Sequence, residues 1–279
     1  MRSHSDLTRF LDATDRQCWI LKPRAASGSS GIHLACSPHE ARAAADALGE
    51  EFVIEDFVGG SEYSAEGVVV DGVPQVWALT EKTVNSKFVE TGHRMPAAVS
   101  PTTSRLARTA VSESLSRAGV RFGPFHSEFW IDGDEVVLGE AHARPGGDFL
   151  HLLLTSVTGG ASLFDTWFTD LLGMGVGDPP PGTSGSAAIE YPDSARSADI
   201  DADMVRALRD LPGHLHSGIS ATAEKGAPGE VAETSHQRRL HLAFEAADAA
   251  GVSARLEAAR TVLGLAGTSA CADPGERPG

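Results

Sequence analysis

The chain has 279 residues, with 23 Lys and Arg against 38 Asp and Glu, a formal charge of -15, and 41% hydrophobic residues. That length holds roughly two domains of about 150 residues, the apolar share excludes a disordered chain, and the negative charge argues against nucleic acid or an anionic membrane surface as partner. Cys18, Cys36 and Cys271 are odd in number, widely spaced and without a CxxC pair, which argues against a disulfide framework or zinc cage and for a reducing cytoplasm in which Cys18 and Cys36 only pack.

No run of about 18 apolar residues is present, and Met1 to Phe10 lacks the apolar stretch of a signal peptide, so the expectation is a soluble, cytoplasmic protein. In chain order, a short amphipathic helix opens at Ser5 and runs to about Leu11, followed by a buried strand from Cys18 to Leu21 that ends at Lys22-Pro23. Ala26 to Gly31 is too small and flexible for anything but a loop, and Ile32 to Cys36 resumes as a strand. Ser37-Pro38-His39-Glu40 then forms a capping box that starts a helix running to Gly49. Phe52 to Val58 and Glu62 to Val70 are strands on either side of Gly59-Gly60, the second ending at an Asp71-Gly72 turn. A helix fits Ser104 to Ala118, with Gly119 at its left-handed cap, and strands Phe125 to Ile131 and Glu135 to Ala143 flank Asp132-Gly133-Asp134. A further helix covers Ser162 to Leu172, and Asp178 to Ser186 is the best linker in the chain. Beyond it come a strand at Ala187 to Tyr191, a short helix near Met204 to Leu211, further short strands, a helix from Ser253 to about Leu265 and a frayed tail.

Two segments carry chemistry. The Ser27-Gly28-Ser29-Ser30-Gly31 loop offers backbone N–H groups to phosphate oxygens, with Lys22 at the end of the preceding strand, although on these residues alone a mobile hairpin tip is the simpler reading. It is not a Walker A loop, since Gly31 is followed by Ile32-His33, nor a Rossmann fingerprint, since no helix opens at that glycine. Across the second hairpin, a three-residue loop places Glu128, Glu140, His142 and Arg144 on one strand face with Val137, Ala141 and Ala143 behind them, whereas a two-residue turn splits the two glutamates. Carboxylates gathered this way suit Mg²⁺ shared with substrate phosphates. Alternation alone also fits a solvated face, and the rigid Arg144-Pro145-Gly146-Gly147-Asp148 turn beside it favours the site.

Taken in order, WILKPRAASGSSGIHLA, VIEDFVGGSEYSAEGVV, EKTVNSKFVETGHRMPA and GPFHSEFWIDGDEVVLGEAHARPGGD resemble the ATP-grasp superfamily, and within it the carboxylate-amine ligases of the L-amino acid ligase type. The resemblance implies an α+β fold of two lobes clasping a nucleotide, with a small C-terminal α+β subdomain. It divides the chain into a lid subdomain at 1–58 that includes the short N-terminal helix, a catalytic subdomain at 59–177, a linker at 178–186, a C-terminal subdomain at 187–267 and a flexible tail at 268–279. It also implies ATP and Mg²⁺, or Mn²⁺ in its place. Lys22 would bind phosphates beneath the flap formed by Ser27, Gly28, Ser29, Ser30 and Gly31. Glu55, Asp56, Phe57 and Val58 would read the adenine edge, Glu62 the ribose, and Lys82 would be a second phosphate-binding lysine. Glu128, Glu140 and His142 would hold the metal, His142 standing where the superfamily more often has asparagine, and Arg144 would stabilise an acyl phosphate.

The implied activity is amide or peptide bond formation between small-molecule carboxylates and amines, amino acids foremost, with no nucleic-acid or membrane partner. Family members usually carry a further domain ahead of the strand that here starts at Trp19. A non-catalytic or incomplete ATP-binding module therefore stands as the alternative, completed by a homodimer or by a partner that supplies that domain. The other histidines get ordinary readings: His93 either lines the substrate pocket or is structural, and His214, His216, His236 and His241 show no metal spacing. Arg238-Arg239 reads as a solvated pair.

Overall fold

The computed structural model describes residues 4–49, 51–192, 199–220 and 232–265. The first lobe contains α1 (His4–Ala13), β1 (Trp19–Pro23), β2 (His33–Ala35), α2 (Pro38–Leu48) and β3 (Phe52–Asp56), with an antiparallel sheet in the order β2-β1-β3. Its core is small and closed: Leu7, Trp19, Leu21, Ala41 and Phe52 are buried together. The cap of α2 forms as expected. Ser37 Oγ accepts from Glu40 N at 3.2 Å, and Glu40 returns to accept from Cys36 N at 2.7 Å.

The cysteine expectation is overturned, because Cys18 and Cys36 form a disulfide. Trp19 pairs with Ala35 across β1 and β2, so the next residues outward, Cys18 and Cys36, face each other at the open end of the hairpin whose tip is the serine-glycine loop. Spacing along the chain carries no trace of that register. The disulfide also removes the cysteine argument for a reducing compartment. Among the described residues no helix is long and apolar enough to cross a membrane, and Cys271 and the expected tail at 268–279 lie outside them.

The second lobe is an eight-stranded antiparallel sheet. Its elements are β4 (Ser61–Val70), β5 (Val73–Val84), β6 (Glu90–Met95), α3 (Pro101–Arg117), β7 (Gly123–Asp132), β8 (Glu135–His142), α4 (Leu150–Val157) and α5 (Leu163–Leu171). They are followed by β9 (Ser186–Glu190), α6 (Ala202–Arg206), β10 (His214–Ile219), β11 (Leu240–Ala246) and α7 (Ala249–Val262). The strand order β10-β11-β9-β6-β5-β4-β7-β8 shows that the strands beyond the proline-rich segment continue the same sheet. Ala107, Val111 and Leu115 of α3 pack with Ala65, Val69, Leu79, Phe125 and Phe129, while Leu150, Leu153 and Leu154 of α4 pack with Val68, Trp77, Ala78 and Ile189 on the opposite face. Strands β5 and β6 and helix α4 are absent from the sequence expectations. LHLLLTSV in α4 is a short apolar run whose period does not distinguish helix from strand.

The β7–β8 hairpin departs from its predicted geometry in an instructive way. Asp132 pairs with Glu135, so the turn has two residues, and near the turn partners sum to an odd number. A β-bulge between Ser127 and Phe129 then inserts one residue on the β8 side, and Ser127 pairs with Ala141 and His126 with His142. The bulge, not the turn, returns Glu128, Glu140 and His142 to one side. Gly139 sits at this point, where a Cβ would stand 2.2 Å from the Trp130 ring. Ala141 and Ala143 are exposed and do not form the expected apolar backing; Val136, partly buried, packs against the core instead.

Candidate active site

Strand period explains how charge comes to be buried in the sheet. Glu62, Ser64 and Glu66 alternate along β4, Thr80 and Lys82 along β5, and His126 and Glu128 along β7. The register sets Ser64 opposite Glu128, and Glu66 opposite His126. Lys82 Nζ has no exposed surface and meets Glu62 at 2.9 Å, Glu90 at 2.7 Å and Glu128 at 2.8 Å. His126 bridges Glu66, 2.9 Å from Nδ1, and Glu128, 3.0 Å from Nε2. Four carboxylates against two cations leave this cluster two charges negative when all are ionised.

These contacts set the protonation states. Burial lowers Lys82, but Glu90, Glu62 and Glu128 more than offset it and hold the ammonium well above its ordinary value. Burial likewise opposes the charged His126, yet Glu66 and Glu128 push its pKa up to about 10, so at neutral pH it is an imidazolium. Burial raises Glu128, and His126 and Lys82 reverse this to hold it far below the carboxylate range. Glu62 is raised, because burial and Glu128 outweigh the attraction of Lys82.

In front of this cluster lies a cavity of about 940 Å³ between the two sheets. Its walls include Lys22, the loop residues Ser27, Gly28, Ser29 and Ser30, the segment Glu55, Asp56, Phe57 and Val58, and Glu62. Glu128, Glu140, His142 and Arg144 complete the opposite side, with Ile20, Trp130 and Leu138 giving it apolar surface. Lys22 Nζ lies 3.0 Å from Glu55 and 2.9 Å from Glu140, and these two acids overcome its burial to raise its pKa. His142 Nε2 is 3.2 Å from Glu140 Oε2. One ligand atom each from Glu128, Glu140 and His142 lies within 4.8 Å of the others. Glu128 gives Oε1 to both Lys82 and His126 and keeps Oε2 for a further partner. This hard, oxygen-rich donor set beside excess negative charge fits Mg²⁺, and Mn²⁺ equally.

Two of the sequence-predicted residues are placed differently. Lys82 is not on the cavity wall: it lies beneath three glutamates, where its charge holds them together. Gly31, with φ +73°, packs against Pro23 behind the loop. Arg144 is on the wall with its guanidinium donating to the Pro145 carbonyl at 2.9 Å. The reading of Arg238-Arg239 as a solvated pair is overturned. Arg238 makes two 2.7 Å bonds to Asp148 and lies 3.9 Å over the Tyr191 ring, and Arg239 donates to the Ile200 carbonyl at 2.9 Å. His93 lines the cavity and bonds Asp148 at 2.9 Å.

Glu66, Glu90, His126, Asp148 and Arg238 were missed as site residues. The period-two run Glu62-Ser64-Glu66 carried a signal for the first of these. Nothing local marks Arg238, which reaches the site from the far end of the chain.

A sequence model of the ATP-grasp domain matches residues 16–151. The fold of this chain is the ATP-grasp fold. Solved structures with the ATP-grasp fold agree along nearly its whole length. The N5-carboxyaminoimidazole synthase of Aspergillus clavatus, in complex with ADP and 5-aminoimidazole ribonucleotide, superposes with a TM-score of 0.69 at 13% identity over 95% of this chain and 66% of its own. The L-amino acid ligase of Bacillus licheniformis gives 0.69 at 16% identity over 91% and 64%. The biotin carboxylase domain of Hydrogenobacter thermophilus 2-oxoglutarate carboxylase, in complex with MgADP, gives 0.67 at 12% over 93% and 60%. The chain thus spans just under two thirds of the length of these proteins. No curated protein matches it by sequence.

Proposed function

We propose that this ATP-grasp chain is an ATP-dependent carboxylate-amine ligase that works through an acyl phosphate, on amino acid substrates. The observation that carries the reading is the meeting of Glu128, Glu140 and His142 on one wall of a cavity roofed by Lys22 and the serine-glycine flap. The three neighbours come from enzymes with different substrates, and the amino acid assignment rests on the sequence resemblance to the L-amino acid ligase type. ATP is the cofactor this cavity fits, since its flap and lysine suit phosphates and its wall offers an apolar slot for a base.

A substrate carboxylate oxygen attacks the γ-phosphorus, the bond to the β-phosphate oxygen breaks and ADP leaves. An amine nitrogen then attacks the acyl carbon, phosphate departs with the acyl oxygen and the amine loses a proton. The chain's residues supply position and charge rather than covalent chemistry. Lys22 and the flap N–H groups hold the phosphates, the backbone of Glu55 to Val58 meets the adenine edge, and Glu62 the ribose. Arg144 neutralises the acyl phosphate, and the closed flap keeps water from it. Mg²⁺ held by Glu128, Glu140 and His142 would neutralise phosphate charge when bound.

The alternative reading is an ATP-binding module that binds the nucleotide without turnover of its own. Titration calorimetry with ATP and Mg²⁺, beside an ADP-release assay with amino acid mixtures, separates the two. Binding with turnover supports the ligase, binding without turnover supports the module, and absence of binding refutes both.

A further inference from the structure

The flap is held down in this structure by two hydrogen bonds, one from within residues 16–151, which match the ATP-grasp domain, and one from beyond them. Ser235 N donates to the Gly28 carbonyl at 2.9 Å, and Ser29 Oγ donates to the Phe88 carbonyl at 2.8 Å. The fit at Gly28 is tight: its φ is +65°, and a Cβ there would stand 2.2 Å from Ser235 Oγ. Ser235 belongs to a short 3-10 turn, Ser235–Gln237, and the next residue is Arg238.

Arg238 ties that turn to the floor of the cavity. Its Nε donates to the Ser235 carbonyl at 3.2 Å and its Nη1 to the Glu90 carbonyl at 3.1 Å, while both terminal nitrogens grip Asp148. Asp148 and the following Phe149 both have left-handed backbone, φ 53° and 58°, conformations that side-chain-bearing residues adopt only where their surroundings compel it. One planar fork therefore joins the turn under the flap, the start of β6 and the strained end of the Arg144 to Asp148 segment. A lysine could not make these bonds together.

We propose that Arg238 is a positioning residue that latches the flap shut over the nucleotide by holding Ser235 against Gly28. This rests on the nucleotide-binding reading above. Closure and nucleotide binding then share one equilibrium, and losing the latch raises the apparent dissociation constant by the factor by which the closed fraction falls. Water also reaches the acyl phosphate more readily, so ADP release uncouples from product formation.

The test compares the whole chain with Arg238→Ala, Arg238→Lys, Gly28→Ala and the pair Gly28→Ala with Ser235→Gly. Hydrogen exchange across residues 26–31 and across the β4 core is measured without ligand, followed by MgATP affinity and the kcat and KM of ADP release. Arg238→Ala is expected to speed exchange in the flap selectively, with β4 unchanged, and to weaken MgATP binding about tenfold, the scale of one lost hydrogen-bonded closure. The effect falls on KM more than on kcat, and Arg238→Lys recovers little of it. Gly28→Ala opens the flap, and adding Ser235→Gly restores part of its protection. Wild-type flap exchange in Arg238→Ala, or a double variant no better than Gly28→Ala, overturns the latch. Should Arg238→Ala fail to fold, the Gly28 and Ser235 pair decides alone. Should the wild type itself not bind MgATP, the nucleotide reading fails, while flap exchange in the ligand-free protein still judges the latch.

Discussion

Replacing Lys82 by methionine keeps the volume of a buried side chain and removes its charge. In the structure that ammonium has no exposed surface and stands 2.7 to 2.9 Å from three carboxylates whose side chains are only 16% to 26% exposed. The variant leaves those acids packed together without their shared cation. Breaking a buried ionic cluster by removing one partner costs about 3–5 kcal/mol. At about 2–4 °C per kcal/mol for a domain of this size, the melting temperature should drop by roughly 6–20 °C at neutral pH. The sign of the pH dependence follows from linkage. Without Lys82 the carboxyl of Glu62, already raised by burial, loses the cation that pulls it down, and Glu128 keeps only His126 to hold it low, so the folded variant takes up protons more readily than the wild type and recovers stability as pH falls. The deficit should therefore shrink between about pH 7 and pH 5. Thermal denaturation followed by circular dichroism across that range checks both points. A variant that melts within about 2 °C of the wild type at neutral pH, or a deficit that grows on acidification, would refute the claim that Lys82 is a structural counter-ion.

Glu140→Ala and Arg144→Ala should each reduce ATP-dependent ADP release by about 100-fold or more, while the exposed positions of both residues keep the melting temperature near that of the wild type. Full activity in either contradicts its assignment. The Cys18→Ser, Cys36→Ser double variant should lose roughly 3 kcal/mol in denaturant unfolding of the first lobe, from the closed loop of 18 residues, and thiol reductants should then have no further effect. His241 offers a pH prediction remote from the acidic cluster. Burial first, then the neighbouring His216 only 2.8 Å away, lowers its pKa to about 4. Its folded value lies below its unfolded value of about 6.5, so its contribution is complete above that pH and is lost on acidification towards about 4. Melting temperature should decline across that window, and His241→Asn should flatten the decline.

Local chemistry made much of this protein legible. The capping box at Ser37, the glycine cap at Gly119 and the strand alternation of Glu62 to Glu66 are short-range consequences of backbone geometry, and each is written in a few consecutive residues. The glycine loop, Lys22 and the two glutamates were equally visible as residue types. Pairing was not. The Cys18–Cys36 disulfide depends on the register of β1 and β2, and the union of Glu128 with Glu140 depends on a β-bulge that compensates for a turn one residue shorter than expected. A register is fixed by packing on both faces of a sheet, and a bulge shifts every partner beyond it, so neither follows from spacing.

The same limit explains Lys82 and Arg238. By type and position one resembled a phosphate ligand and the other a surface charge. Burial made Lys82 a counter-ion beneath the site, and the fold carried Arg238 back to its floor. The sequence by itself determined which charges exist and which segments bend. The tertiary structure alone decided which of those charges neutralise one another and which remain free to meet a ligand, because electrostatic partnership depends on distance and burial, and both arise when remote strands close on one another.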